Sequence, residues 1–299
     1  LLYQTLVGAW PQQDAQIPEC KDRIKEFMVK AAREAKIFTN WINPNADHEA
    51  VLQDFVEAIF REEGKNRFLT DLSHFQKDIA YYGALNSLSQ VLLKIASPGV
   101  PDFYQGEELW DFNLVDPDNR RPVDFAARTK ILDELKVDEQ RDLTALLADI
   151  TANWRDGRIK LYLTWKAAKF RRAEKGLFEE GKYIRLPSTG KAGDSVCAFA
   201  REAGKRWALA IAPRLFTRLV DPGRAPVGHE VWGATALLLP RGTPLTWTNV
   251  LTGQSVMAKG ARGGQIRLPL ASALETFPVA LLSAEAEEPA HQNAGGLPG

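Results

Sequence analysis

The sequence from Ser97 to Phe125 reads SPGVPDFYQGEELWDFNLVDPDNRRPVDF, and the rest of the chain is best read outward from it. It is dense in side chains that contact sugars or carry protons: Asp102, Tyr104, Glu107, Glu108, Trp110, Asp111, Asp116, Asp118, Arg120 and Arg121. Pro98-Gly99-Val100-Pro101 ends the helical pattern before it, because proline cannot join a helix interior and forces extended backbone on its predecessor. Residues 100–104 are then predicted as a short strand, with Gly106 turning the chain at its end. A strand that opens into a polar loop after a long amphipathic helix is the repeating unit of a (β/α)8 barrel. In such barrels the loops after the strands carry the chemistry.

Upstream the pattern is helical. Asp22 to Ile37 places Ile24, Phe27, Met28, Ala31 and Ala35 on one stripe. Asn43-Pro44-Asn45 breaks the chain, and Asp47 can cap a helix whose Val51, Phe55 and Ile59 recur every fourth residue. A third long helix is expected from Thr70 or Asp71 through Ile79, Tyr82 and Leu85 to Ile95. These helices are more apolar on one side than free-standing helices need, so a large partner surface is expected, in a barrel the central sheet.

Downstream, Ala126 to Leu135 and Arg141 to Ile150 read as short helices, and Arg158 to Lys175 as an amphipathic one. From about Tyr183 short β-prone runs alternate with turn signals: 183–186, 195–201, 206–212, 236–239, 245–249, 265–268 and 279–283. Seven such runs predict an antiparallel sandwich. Trp232 and Trp247 are expected in its core. The last residues, rich in Ala, Glu, Gly and Pro, read as a disordered tail.

Composition limits the function classes. The 38 basic and 38 acidic side chains cancel, whereas a nucleic-acid binder usually shows a basic excess. No apolar run reaches the roughly 18 residues of a membrane span, and no secretory signal is visible. Cys20 and Cys197 lie far apart and read as buried thiols of a reducing cytoplasm. The four histidines make no metal-ligand spacing, and Asp116-Pro-Asp-Asn119 lacks the pattern of an EF-hand loop. No metal or cofactor is implied, and neither a nucleic acid nor a membrane is expected as a partner.

Gly99-Val-Pro-Asp-Phe-Tyr-Gln-Gly-Glu-Glu108 resembles the last barrel strand of the α-amylase superfamily, and Leu114-Val-Asp-Pro-Asp-Asn-Arg-Arg-Pro122 narrows the resemblance to the maltooligosyl trehalose synthase family. Leu1-Leu-Tyr-Gln-Thr-Leu-Val-Gly-Ala-Trp-Pro11, Arg33-Glu-Ala-Lys36 and Trp41-Ile-Asn-Pro-Asn45 are similar to further stretches of that family. The resemblance implies an α+β chain. Residues 1–178 would be the helix-rich C-terminal part of an α-amylase-type (β/α)8 barrel, 179–285 an antiparallel β-sandwich domain, and 286–299 a tail. It also implies a parent enzyme that converts the reducing-end α-1,4 linkage of a maltooligosaccharide to an α,α-1,1 linkage. The catalytic carboxylates of such enzymes lie in segments that have no match here, and the His-Asp pair that carries one of them does not occur. The chain is therefore expected to be a fragment, inactive alone, whose partner is the missing N-terminal portion and whose parent binds a maltooligosaccharide.

Two carboxyl groups that retain configuration at a glycoside stand about 5–5.5 Å apart across the scissile bond. Glu107 and Glu108 are neighbours on extended chain and point to opposite sides, so they are unsuited to that pairing. Contact with sugar or support of the loop remain their two readings. Asp102 and Tyr104, two apart on the expected strand, would share a face suited to a glucose ring or would form a buried structural bond. Trp110 would stack on sugar or wedge the loop onto the body. Asp118, Asn119, Arg120 and Arg121 would line the sugar site, or the arginines would simply pair with neighbouring aspartates. Trp10 and Trp41 are expected to pack in a core. An α-1,4-glucan hydrolase and a non-catalytic carbohydrate-binding module are the alternative functions.

Overall fold

A computed structural model describes residues 1–12, 16–61, 66–260 and 264–286. The expected tail, residues 286–299, lies outside them from residue 287 onward. Packing divides the chain into two units, one of residues 1–84, 103–134 and 153–158, the other of residues 85–102, 135–152 and 159–299. The helices Leu143–Ala152 (α6) and Arg158–Ala173 (α7) thus go largely with the sheets, away from the expected division at 178.

The first unit is helical. α1 (Leu2–Ala9), α2 (Ile17–Ala35), α3 (Ala46–Ile59) and the first half of α4 (Arg67–Ala96) build it. Pro18 sits in the first turn of α2, where a missing N–H costs nothing, and Asn45 rather than Asp47 caps α3 by accepting the His48 N–H at 3.1 Å. The core gathers Leu2, Leu6, Trp10, Cys20, Ile24, Val56, Phe60 and Leu72, and the Trp10 and Phe60 rings stack with centroids 5.9 Å apart.

The segment joining α2 to α3 is held by a charge cluster. Arg33 forks both oxygens of Glu49 at 2.8 and 2.6 Å, Thr39 donates to the same carboxylate at 2.6 Å, and Asn45 N–H closes the turn on Thr39 at 2.9 Å. These bonds hold the Glu49 carboxyl down at about 2. Lys36 adopts the left-handed conformation (φ 57°) that ends α2. Trp41, expected in a core, is instead 57% exposed, with the Arg33 guanidinium over its ring at 5.0 Å. Its neighbours Ile37, Phe38 and Ile42 are exposed as well.

The stripe read on α3 is covered at one position: Ile59 packs, partly buried, on this core. Val51 is 68% and Phe55 50% exposed, and the apolar position buried within the helix is Val56, in the cluster with Ile24 and Leu6. The period of the pattern was right, but most of the apolar stripe lies off the face that meets α2.

The predicted strand at 100–104 does not form. Val100 is 96% exposed, and among the described residues no strand lies alongside to receive its hydrogen bonds. A strand is held by ladder bonds to a neighbour, and Pro98 and Pro101 have no N–H to give. The argument that Asp102 and Tyr104 share a face through strand alternation therefore lapses.

The second unit carries two antiparallel sheets. The strands are β1 (Lys182–Arg185), β2 (Ser188–Thr189), β3 (Val196–Ala203), β4 (Arg206–Pro213), β5 (Ala236–Leu239), β6 (Thr246–Asn249), β7 (Ser255–Met257), β8 (Lys259–Gly260), β9 (Ile266–Pro269) and β10 (Ala280–Glu285). One sheet runs β1-β3-β4-β10-β6-β7, the other β2-β5-β9-β8. Each of the seven runs read from the sequence is a strand; β2, β7 and β8, only two or three residues long, escaped the pattern.

Both sheets feed one core, to which β4 gives Trp207, Leu209 and Ile211 and β5 and β9 give Leu237, Leu239 and Leu268. The alternate residues of β4 are Ala208, Ala210 and Ala212, also buried, so β4 is apolar on both faces. The short helix α8 (Lys175–Glu179) packs against β3 and β4. Trp232 and Trp247 are buried as expected, and their indole N–H groups donate to Pro226 O at 2.8 Å and Pro244 O at 2.9 Å. Of the two thiols, Cys20 is buried, which pushes its pKa up to about 11, whereas Cys197 is exposed, against expectation.

Within this unit α7 (Arg158–Ala173) is tied to the sheets by Tyr162, fully buried, whose hydroxyl donates to Leu251 O at 2.6 Å. Removing the hydroxyl takes a hydrogen-bond partner from that buried carbonyl. Tyr162→Phe is expected to lower unfolding free energy by about 1–2 kcal/mol with an unchanged denaturant slope, read by urea titration.

Candidate functional site

The loop from Phe103 to Asp124 is folded around one carboxylate. Asp118 lies in a single helical turn, residues 118–120, and turns its oxygens inward. Arg23, on the middle of α2, donates Nε to Oδ1 at 2.9 Å and Nη2 to Oδ2 at 2.8 Å, and also bonds Phe112 O at 2.6 Å. The Leu114 N–H gives Oδ2 a further bond at 2.6 Å, and Arg121 adds an ion pair at 3.2 Å. Burial alone pushes the Asp118 carboxyl up. The bonds from Arg23 and Leu114, with the charges of Arg23 and Arg121, outweigh it and hold the group below its ordinary value. Leu114 packs on the helical core, so the loop is fixed by charge on one side and apolar contact on the other.

The residues around this hub have assigned tasks. Arg121 reaches Glu19 and donates to Asn113 Oδ1 at 2.7 Å. Arg120 pairs with Asp116, and its side chain is largely exposed. Tyr104 donates its hydroxyl to Asn119 O at 3.3 Å while keeping almost half its surface open. Glu108 holds Arg128 at 3.0 Å, and Arg128 also donates to Gly106 O at 3.1 Å. Glu107, its neighbour, lies in the turn closed by its own N–H to Tyr104 O at 3.2 Å. Trp110 donates Nε1 to Trp154 O at 2.6 Å and meets the Trp154 ring edge-on, 6.4 Å between centroids. Asp102 is exposed and belongs to the other unit.

Of the residues picked out in the sequence, Tyr104, Asp118, Asn119, Arg120 and Arg121 are thus linked in one loop, and Glu108 and Trp110 are tied to its flanks. The arrangement shows one of the two readings of the Asp/Arg run, the pairing of its arginines with neighbouring aspartates. Asp118 is spent on the hub, and Arg120 has its pair but faces outward.

Beside the hub lies a cavity of about 560 Å³ within the first unit. The volume falls within the 300–1,000 Å³ of small-molecule sites. Its walls are Gln16, just before α2, with Glu19 and Arg23 of that helix, Trp110 to Asn113 of the loop, and the segment Arg121 to Asp124 with Arg128 of α5 (Phe125–Arg141). Gly106 completes the wall at φ +95°; a Cβ there would stand 3.4 Å from Val123 and 3.7 Å from Asp111. Of the residues singled out in the sequence, Trp110, Asp111 and Arg121 line it. Gln16, Glu19, Arg23, Asn113 and Arg128 were not foreseen. The spacing 16, 19, 23 marks a polar helical face next to the apolar stripe, a signal that places them together but does not say what they face.

No family model matches the chain. Over 252 residues, 84% of its length, the chain is 32% identical to a curated protein of Mycobacterium tuberculosis (strain CDC 1551 / Oshkosh), provisionally named as a maltooligosyl trehalose synthase. The solved maltooligosyltrehalose synthase of Arthrobacter ramosus superposes on 94% of the chain with 30% identity and a TM-score of 0.69. Over most of its length the chain belongs to the maltooligosyl trehalose synthase family. The structure of a hypothetical synthase from Sulfolobus tokodaii covers 95% of it at 27% identity and TM-score 0.60. The chain spans 28% of the length of the curated mycobacterial member and 32% of the Arthrobacter one.

The hub gives a direct test of how the synthase-family loop is held. Asp118→Asn leaves the Arg23 guanidinium without its counter-charge, and is expected to cost about 2–3 kcal/mol at pH 7. Because the folded pKa of Asp118 lies below its unfolded value of about 3.9, its contribution is complete above that value and is lost as pH falls through the folded pKa. Denaturant titrations at several pH values should therefore show wild type and variant converging in acid. A gap that stayed constant to pH 2.5 would mean that the charge of Asp118 is not what holds the loop.

Proposed function

We propose that the chain is the C-terminal part of a maltooligosyl trehalose synthase, and that the loop around Asp118 forms part of the wall that holds the substrate. The observation that carries this is the 30–32% identity to members of that family over 84–94% of the chain. On this reading the first unit and its neighbouring helices are the closing portion of an α-amylase-type (β/α)8 barrel. The two sheets are the antiparallel β-sandwich that follows it.

The reaction would move the reducing-end glucose of a maltooligosaccharide from an α-1,4 to an α,α-1,1 linkage. A carboxylate elsewhere in the parent would attack the anomeric carbon and form a covalent glycosyl-enzyme, while a second carboxyl protonates the leaving glucose. That glucose stays bound, turns, and attacks through its own anomeric hydroxyl, so both displacements together retain configuration. No cofactor is required. The outcome depends on keeping water from the intermediate while glucose reorients.

Residues of this chain would supply positioning, not proton transfer. Tyr104, Glu107 and Glu108 would contact or support the sugar from the start of the loop, Trp110 from its middle, and Asn119, Arg120 and Arg121 from its end, with Asp118 holding the turn in place. Arg120 is suited to contact because its guanidinium is exposed, already oriented by Asp116, and carries donors for sugar hydroxyls. Without the rest of the parent, the chain would bind but not turn over its substrate. The parent would work in the cytoplasm.

The full-length parent tests the reading. Incubated with maltopentaose, it should give a non-reducing product in excess of released glucose. Reducing sugar as the main product would identify a hydrolase instead. Arg120→Ala should raise the hydrolysis-to-isomerisation ratio several-fold by loosening the bound glucose. An unchanged ratio together with unchanged affinity would remove Arg120 from the wall.

A further inference from the structure

Trp110, the aromatic side chain given a sugar contact above, does not set its own direction. What sets it lies 44 residues later, in the single turn Trp154–Asp156 and the glycine that follows, all within the first unit. The Trp110 indole donates to Trp154 O at 2.6 Å, and the two rings meet edge-on with centroids 6.4 Å apart. An indole has one donor and no acceptor, so this bond commits its only polar group and leaves the ring for apolar contact. Trp154 is itself held. It is buried, meets Tyr81 edge-on at 5.5 Å, and carries the Arg155 guanidinium over its ring at 4.8 Å.

Gly157 closes the arrangement from the other side. Its N–H donates at 3.2 Å to Trp154 O, the same carbonyl that receives the Trp110 indole. It is buried at φ +81°, a conformation that a residue with a side chain adopts only under strain. A Cβ there would stand 3.2 Å from Trp110 N and 3.2 Å from Leu109 Cβ. The atom that would have to give way is the main chain of the loop, not the flexible end of a side chain. The turn is pinned in its own right, because the Asp156 carboxylate accepts the Arg158 N–H at 2.9 Å and Arg158 Nε at 2.7 Å.

We infer that Gly157 is a positioning residue for the proposed reaction. Through its close approach to Leu109 and Trp110, and through the shared Trp154 carbonyl, it sets the indole of Trp110 and with it the hold on glucose during reorientation. The inference rests on the reading of Trp110 as a sugar contact. Gly157 has no side chain to offer a substrate and its Cβ direction points at the loop, so it acts through Trp110. Misplacing a positioning group by about 1 Å costs up to about 100-fold in rate. A Cβ at Gly157 requires a shift of a few tenths of an ångström, so an effect of several-fold is expected.

The test compares Gly157→Ala and Trp154→Phe. In the 299-residue chain without ligand, the Trp110 indole N–H resonance, identified by its loss in Trp110→Phe, should move in Gly157→Ala. In the full-length parent acting on maltopentaose, Gly157→Ala should raise KM and the hydrolysis-to-isomerisation ratio at least threefold each. Trp154→Phe keeps the main-chain carbonyl but packs a smaller ring, and should raise both about 1.5- to twofold; it decides the matter if Gly157→Ala does not fold. A glycine needed only for folding would lower the melting temperature and the yield of active enzyme, leaving KM and the ratio as they are. Unchanged KM and ratio in the folded variant would therefore overturn the inference, as would a change in either while the Trp110 resonance of Gly157→Ala stays in place. If the wild-type parent gave reducing sugar as its main product, the isomerisation reading would fall, and KM with the resonance would still decide the positioning role.

Discussion

A carboxylate taken out of water is tolerable only when hydrogen bonds and opposite charge replace the solvent, and the loop from Phe103 to Asp124 is built on that condition. Asp118 satisfies it with the guanidinium of Arg23, a residue 95 positions earlier in the chain. The same bonds that keep Asp118 charged bring α2 and the loop together. They also fix the turn that carries Asn119, Arg120 and Arg121, and leave a cavity between the loop and the first turns of α2. Loss of this pair would leave the loop, which has no strand and no regular helix longer than one turn, with Leu114, Trp110 and the more exposed pairs of Arg121 with Glu19 and Arg128 with Glu108 to hold it.

How much of this can be read from the sequence depends on how local the cause is. The seven longer strands come from alternation and turn residues within a few positions of each other, and they are where the pattern puts them. Caps are equally local, although Asn45 took the role read for Asp47. Trp232 and Trp247 are core residues because a large ring with one polar atom is cheap to bury when a nearby carbonyl, here Pro226 or Pro244, accepts its N–H.

What failed was non-local. Residues 100–104 have the composition of a strand, but a strand is made by its neighbour, and the described residues provide none. The apolar stripe on α3 has the right period, yet Val56 rather than Val51 or Phe55 meets α2, because periodicity identifies a face without naming what covers it. Arg201 shows the same limit from the polar side. It lies on β3, is almost fully buried, and gives one bond to Gly181 O at 2.7 Å. Burial, and then the charge of Arg171, lowers its pKa, and no short-range pattern distinguishes it from an exposed strand arginine.

The candidate site divides along the same line. The loop's residue types were legible because Asp, Asn, Arg and Trp are concentrated there at a frequency that packing does not require. Their assignments were not legible, since whether Asp118 touches a ligand or an arginine is decided by Arg23, remote in sequence. That distinction changes the meaning of the motif. A run that reads as a row of sugar contacts proves to contain one residue that holds the row in place and others that it presents. The motif Arg33-Glu-Ala-Lys36 with Trp41 to Asn45 follows the same logic, since Arg33 fixes Glu49 and Thr39 and thereby holds the exposed Trp41 beneath its guanidinium. In both places a long-range arginine–carboxylate fork anchors an irregular segment whose exposed aromatic or polar side chains are left free for contact. On the proposed function, the ordering of those side chains by the two forks is what this chain would bring to holding the sugar.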